Sequence, residues 1–160
     1  MHLSRKTLQT SVFCTKPLHV RLALPPLRGV LGICENMDQL TKYAPLLARI
    51  FLAVIFIPAG FMKMGDVAGF AGYLSSGGVP GFLAWPAILF EVALGTSMLL
   101  GFKARPMALL GAVFCVLTAA LFHFVPADQM QMTMAFKNLG IAAGFLMIFA
   151  HGAGSIALDK

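Results

Sequence analysis

The chain has 160 residues, of which 59% are hydrophobic and 11% are charged, and its mean hydropathy is +0.85. Soluble domains hold about 45 to 50% apolar and about 25% charged residues, so this composition predicts a small membrane protein and argues against a soluble one. The formal net charge of +6 does not indicate nucleic-acid binding, because the basic residues form no face interleaved with aromatic residues. The three cysteines, Cys14, Cys34 and Cys115, lack metal-ligand or redox spacing, and we expect no metal site.

Residues 1 to 36 differ from the rest of the chain. They are basic, they contain no acidic residue before Glu35, and Arg21, Arg28 and the Pro25-Pro26 pair interrupt their apolar stretch. We predict a basic, disordered head over residues 1–36, either a presequence or the product of a start assigned too early, and a membrane domain over residues 37–160. We favour a true start at Met37, so a chain beginning there is expected to insert and fold.

Four apolar runs follow the head. They cover residues 44–62, 81–102, 106–125 and 138–157, and each is close to the ~20 residues that a membrane-spanning helix needs. The predicted fold is therefore all-α, a four-helix transmembrane bundle in the lipid bilayer.

The first loop between the runs, residues 65–80, is long enough for an element of its own. Asp66 can cap a short helix on which Val67, Phe70 and Leu74 share one face. This pattern predicts a short amphipathic helix on the outer membrane surface.

The placement of Lys and Arg predicts the orientation. Lys42, the hairpin with Lys103 and Arg105, and Lys160 fall on one side of the bundle, whereas Lys63 and Lys137 fall on the other. Because basic residues are enriched in cytoplasmic loops, we expect both termini to be cytoplasmic.

Glu91 is the only charged residue within the second apolar run, 81–102. A charge near the middle of a membrane costs at least ~2.5 to 3.5 kcal/mol, so such a residue normally faces a partner or a polar cavity. The sequence therefore predicts a polar site around Glu91, although a neutral Glu91 that only fixes helix packing remains an alternative.

Helical phase and side-chain direction favour Lys63 as the partner of Glu91. Arg49 and Lys63 lie on one stripe of the first helix. Side chains lean toward the helix N-terminus, so Lys63 leans into the membrane toward Glu91, and Arg49 leans toward the cytoplasm, where it can snorkel. Arg49 stays the second choice, and both basic residues have the alternative of being interfacial anchors. Gly95, one turn after Glu91, would let a neighbouring backbone approach.

Further polar residues are expected at the depth of Lys63. They are His123 near the end of the third run, and Lys137 and Asn138 at the start of the fourth. His123 taken singly is more commonly a residue that hydrogen-bonds to a loop. Together these residues form the predicted intramembrane site, which comprises Lys63, Glu91, His123, Lys137, Asn138 and Arg49.

The order of several short motifs resembles the DoxX family, in particular its inner-membrane YphA-type branch. The resemblance runs from about Leu47 to Asp159 and leaves out the head. The motifs are Ala59-Gly60-Phe61-Met62-Lys63, Gly78-Val79-Pro80-Gly81, Glu91, Gly101-Phe102-Lys103-Ala104-Arg105, Leu121-Phe122-His123-Phe124, Lys137-Asn138-Leu139 and the ending Gly152-Ala153-Gly154-Ser155-Ile156-Ala157-Leu158-Asp159.

The resemblance implies a bacterial inner-membrane protein. The family name comes from a subunit associated with thiosulfate:quinone oxidoreduction, so it implies a membrane subunit of a redox or thiol-stress complex with a soluble or membrane partner. A quinone or a small sulfur oxyanion is then the ligand to consider for the polar site. A scaffold or anchor without catalysis and, less favoured, a small carrier are the alternatives. Whether the chain is an enzyme and whether it forms a homo-oligomer are left open.

Overall fold

A computed structural model describes the backbone of residues 25–159 and the side chains of residues 40–159. Five α-helices follow one another along the chain. Their bounds are α1 Pro25–Met64, α2 Val67–Ser76, α3 Ala84–Leu100, α4 Ala104–Thr118 and α5 Gln129–His151, with a 3-10 turn at Gly81–Leu83 before α3 and a π-helical turn at Ala119–His123 after α4. Residues 1–24 of the predicted head lie outside the described residues. Residues 25–36, the last part of the head, belong to α1.

Among the described residues, four helical segments are long and apolar enough to cross a membrane, namely Leu40–Met64, Gly81–Leu100, Ala104–His123 and Gln129–His151. The all-α, four-helix prediction is thereby confirmed. The first three segments agree with the predicted runs to within a few residues.

The last helix begins earlier than predicted. The sequence analysis placed the fourth run at residues 138–157, whereas α5 runs from Gln129 to His151. The carboxylate of Asp128 accepts hydrogen bonds from the backbone N–H groups of Met130 and Gln131, which is the geometry of an N-cap. At the other end Gly152 has a φ of 86° and stops the helix. The error arose because the first turns of α5 carry Gln and Thr, which lower the apolar signal but not the tendency to form a helix.

The predicted loop helix is present as α2. The Asp66 carboxylate accepts a hydrogen bond of 2.8 Å from the backbone N–H of Gly69 and so caps the first turn. Leu74 on the predicted apolar face is buried. The cap and the apolar face together hold α2 against the end of the bundle.

Close packing of α1 on α3 depends on two glycines. A Cβ at Gly95 would lie 2.6 Å from Cγ1 of Ile57, and one at Gly60 would lie 2.5 Å from Cγ2 of Val92. Any larger residue would push the two helices apart, as predicted for Gly95. The rest of the core combines large apolar side chains such as Phe145, Ile88 and Leu94 with many small ones, which let helices approach where lipid provides no hydrophobic drive between them. Its buried alanines are Ala53, Ala84, Ala104, Ala108, Ala112, Ala119, Ala135 and Ala142.

Arg49 does not snorkel to the surface as expected. It is only 1% exposed, and its guanidinium donates hydrogen bonds to four backbone carbonyls. The acceptors are Met98 at 2.9 Å and Leu99 at 3.3 Å, at the end of α3, and Ala153 at 2.6 Å and Ile156 at 2.7 Å, in the C-terminal segment. The first two carbonyls lie in the last turn of α3, where carbonyls run out of helical donors, and the other two lie beyond the end of α5. Arg49 therefore stays inside the bundle and joins α1, α3 and the C-terminal segment.

The C-terminal segment folds back along the loop between α3 and α4. The backbone N–H of Leu158 donates to the carbonyl of Leu100, and that of Asp159 donates to Gly101. The Asp159 carboxylate in turn accepts from the backbone N–H of Lys103 at 2.5 Å. The chain end is thus part of the folded bundle.

Candidate polar site within the bundle

Lys63 and Glu91 form a direct ion pair. The Lys63 ammonium donates to both carboxylate oxygens of Glu91, at 2.5 Å to Oε1 and 2.6 Å to Oε2. The Glu91 side chain is only 5% exposed and that of Lys63 is 30% exposed. The contact predicted from side-chain direction is confirmed, and Arg49 is excluded as the partner because its donors are bound to carbonyls.

The last turn of α1 and the middle of α3 position this pair. Lys63 lies one residue before the end of α1, so its long side chain can bend back along the helix to reach Glu91. The ring of Phe70 on α2 lies 4.9 Å from the Lys63 ammonium and provides a cation–π contact. Glu91 and Phe70 therefore hold the ammonium from two sides.

A cavity of about 610 Å³ lies beside the ion pair. Its walls come from every helix of the bundle and are mainly aromatic and aliphatic. The aromatic side chains among them are Phe56, Phe70, Tyr73, Phe90, Phe114 and Phe122, and the polar ones are Lys63, Glu91, Thr118, His123 and Asn138. An apolar cavity with a few polar groups has the usual make-up of a small-molecule site.

The π-helical turn shapes one side of the cavity. It extends over Ala119–His123, and Leu121, Phe122 and His123 within it all line the cavity. Turns of this kind are found frequently at functional sites, because the extra residue re-aims the side chains that follow. The ring of Phe122 stacks on Tyr73 at 5.0 Å between centroids, which holds α2 over the cavity.

Tyr73 adds a hydrogen-bond donor to the cavity wall. Burial raises the pKa of the Tyr73 phenol above its ordinary value. The phenol is therefore protonated at neutral pH and keeps its O–H.

The remaining predicted residues separate into two groups. His123 and Asn138 line the cavity with the ion pair: Nδ1 of His123 lies 2.9 Å from Oε1 of Gln131, and the Asn138 amide donates to the Thr118 hydroxyl at 3.3 Å. Lys137 does not line the cavity and is exposed, with its ammonium 3.8 Å from the sulfur of Met134. Adjacent residues of a helix point about 100° apart, so Lys137 faces outward when Asn138 faces inward.

Sequence reasoning missed the aromatic part of the site. Phe70 was expected only on the apolar face of a surface helix, which was the one available signal, and Tyr73 was not singled out. The π-helical turn had no recognisable sequence signal.

Part of the cavity wall lies on the surface of the bundle at α3 and α4. Leu83 just before α3, Pro86 in α3, Leu117 in α4 and Leu121 in the π-helical turn line the cavity and are exposed. In a bilayer these residues would face the lipid chains.

The described residues contain no group of side chains with metal-binding geometry. Among the described residues, no three His, Cys, Asp or Glu side chains are grouped in a way that could hold a metal ion. The groups that could bind a ligand in the cavity are hydrogen-bonding and aromatic ones.

Four spanning helices around a buried Lys–Glu pair define an integral, multi-pass membrane protein with a polar centre. The chain belongs to the DoxX family, whose family model matches residues 44–124. It is similar to the inner membrane protein YqjF of Escherichia coli (strain K12), with 40% identity over 124 residues, which cover 78% of this chain and 95% of the relative. The inner membrane protein YphA of the same organism is 35% identical over 122 residues, 72% of this chain and 87% of the relative. No solved structure matches the chain significantly. The resemblance seen in the sequence is confirmed, and both relatives are inner-membrane proteins.

Proposed function

We propose that this inner-membrane protein is the membrane subunit of a redox complex and that it binds the head group of a quinone beside Lys63 and Glu91. The observation that carries the proposal is the aromatic cavity of about 610 Å³ with the ion pair in its wall. A quinone head group is flat and has two carbonyl oxygens. Aromatic rings can stack on its faces, and the Tyr73 phenol and the Asn138 amide can donate to the oxygens.

The charge of the cavity favours a neutral ligand over a sulfur oxyanion. Lys63 supplies a positive charge in the cavity wall. The Glu91 carboxylate, with Oε1 at 2.5 Å from the Lys63 ammonium, already neutralises that charge. An anion would have to displace that carboxylate or remain uncompensated in a medium of low dielectric constant, which is costly. A neutral quinone leaves the pair intact.

The exposed part of the cavity wall on α3 and α4 supports the same choice. Quinones of the membrane are dissolved in the hydrocarbon layer, and the exposed side chains of Leu117 and Leu121 border the cavity at that depth. A quinone could enter from the lipid with its tail left between the helices. Electrons would come from a redox partner.

The test is mass spectrometry of small molecules retained by the protein after mild solubilisation. We expect a quinone with wild type and its loss with Ala87→Trp, which places a large ring at the cavity wall. Val113→Trp is the matched control, because Val113 is 49% exposed on the outer surface of α4, and it should retain the quinone. Should Ala87→Trp fail to fold, Thr118→Phe fills the cavity from the opposite helix.

Other outcomes would contradict the proposal. Stoichiometric co-purification of a soluble protein with an empty cavity would favour the scaffold, and solute flux in vesicles would favour the carrier. Equal quinone retention by wild type and by both cavity variants would show that the quinone binds elsewhere.

We also propose that both termini of the chain are cytoplasmic, because more basic residues lie on that side of the bundle, namely Lys42, Lys103, Arg105 and Lys160. With native cysteines replaced, Ser76→Cys should react with a membrane-impermeant thiol reagent in intact cells, and Ser155→Cys should react only after permeabilisation. Both positions are exposed. The reverse labelling pattern would overturn the orientation.

A further inference from the structure

A second cleft lies at the opposite end of the bundle from the ion pair. It has a volume of about 760 Å³ and is bounded by the loop between α3 and α4, the end of α5 and the C-terminal segment. Its charged or titratable side chains are Lys103, Arg105, His151 and Asp159. The proposal for the quinone cavity uses none of them.

The cations of this cleft form no ion pair among the described side chains. Lys103 and Arg105 are exposed, and the Lys103 ammonium lies 5.6 Å from the ring centroid of Phe102. Asp159, the carboxylate among the described residues of the cleft, accepts from the backbone N–H of Lys103 at 2.5 Å. Among these residues, two cations against one carboxylate leave one positive charge in excess.

Arg105 lies over the end of α5. Its Nε and one terminal nitrogen lie 3.3 and 3.4 Å from the position of a Cβ at Gly152, whose φ of 86° favours glycine. The guanidinium therefore shares the cleft with His151, the last residue of α5. Its planar fork of donors suits a phosphate group.

The position of the cleft in the membrane indicates where such a phosphate group would come from. Spanning segments end at Leu100 and His151, and one begins at Ala104, so the cleft lies where the hydrocarbon layer meets the head groups. Basic pockets between helices at this depth bind the head groups of anionic lipids.

We propose that this cleft binds the phosphodiester group of an anionic membrane lipid. One phosphodiester carries one negative charge and would neutralise the excess charge of Lys103 and Arg105. The lipid chains would lie along the apolar surface of α4 and α5.

The experiment measures thermal unfolding of the full chain in detergent with added phosphatidylglycerol, phosphatidylcholine or inorganic phosphate. Phosphatidylglycerol is expected to raise the unfolding temperature, and neither of the other two should do so at the same concentration. Stabilisation by inorganic phosphate alone would show a site for free phosphate, and equal stabilisation by both lipids would show unspecific binding of lipid. Either result overturns the proposal.

Substitutions test whether phosphatidylglycerol binds at this cleft. Lys103→Asn with Arg105→Gln should weaken phosphatidylglycerol binding about thirtyfold, the order expected for two surface cations. Asparagine is chosen because Lys103 has a φ of 45°, which asparagine tolerates. The control, Lys42→Gln with Lys137→Gln, removes the same charge elsewhere and should leave the affinity unchanged. If the double variant does not fold, Arg105→Gln alone tests the site, and unchanged affinity in a folded variant would refute it.

Discussion

Replacing Lys63 or Glu91 singly is expected to destabilise the bundle more than replacing both. Each single change leaves the partner charge buried without compensation, which costs about 3 to 5 kcal/mol for a fully buried pair. Lys63→Met should be the more damaging, because it leaves the 5% exposed Glu91 side chain alone, whereas Glu91→Gln leaves the 30% exposed Lys63. A cation with access to the surface can be hydrated.

The measurement is a double-mutant cycle with thermal unfolding in detergent. Lys63→Met combined with Glu91→Gln should recover much of the loss, with a coupling energy of about 1 to 3 kcal/mol. The control cycle pairs Glu91→Gln with Lys137→Met, and we expect additive effects there because Lys137 is exposed and does not line the cavity.

The same cycle separates a functional pair from a structural one. A double variant that is stable but no longer retains a quinone would show that the pair serves the ligand. Additive losses for Lys63 and Glu91, together with coupling between Glu91 and Arg49, would contradict the observed pairing.

Arg49→Met should be among the most destabilising single changes in the chain. It removes the donors that reach four backbone carbonyls, and each buried carbonyl left without a partner costs about 1 to 3 kcal/mol. Arg49→Lys should recover little, because one ammonium cannot reproduce the fork of a guanidinium. A Cβ at Gly101 would lie 2.9 Å from Cζ of Arg49, which shows how closely the site is packed.

The effect should be strongest in the C-terminal segment. Hydrogen exchange at Leu158 and Asp159, whose backbone N–H groups donate to Leu100 and Gly101, is expected to speed up in Arg49→Met. Arg105→Met in lipid-free detergent is the control, since that arginine is exposed, and it should change stability by less than about 1 kcal/mol. Equal effects of the two substitutions would refute the assigned role of Arg49.

The contact of Lys63 with Glu91 was predictable because it depends on local geometry. Helical phase places Lys63 on the inner stripe of α1, and the lean of side chains toward the helix N-terminus points it at Glu91. The same rule gave the wrong environment for Arg49. A side chain can leave its preferred direction when strong acceptors lie nearby, and the backbone carbonyls at the end of α3 and in the C-terminal segment are such acceptors.

The amino-acid sequence by itself determined the membrane location, the four spanning helices, the capped loop helix and the ion pair. All of these follow from composition, run length and helical period, which are properties of short segments. Only the tertiary structure decided that Phe70 and Tyr73 join the site and that Arg49 binds the C-terminal segment. Those outcomes depend on how α2, the π-helical turn at Ala119–His123 and the chain end pack against distant residues, and no local pattern contains that information.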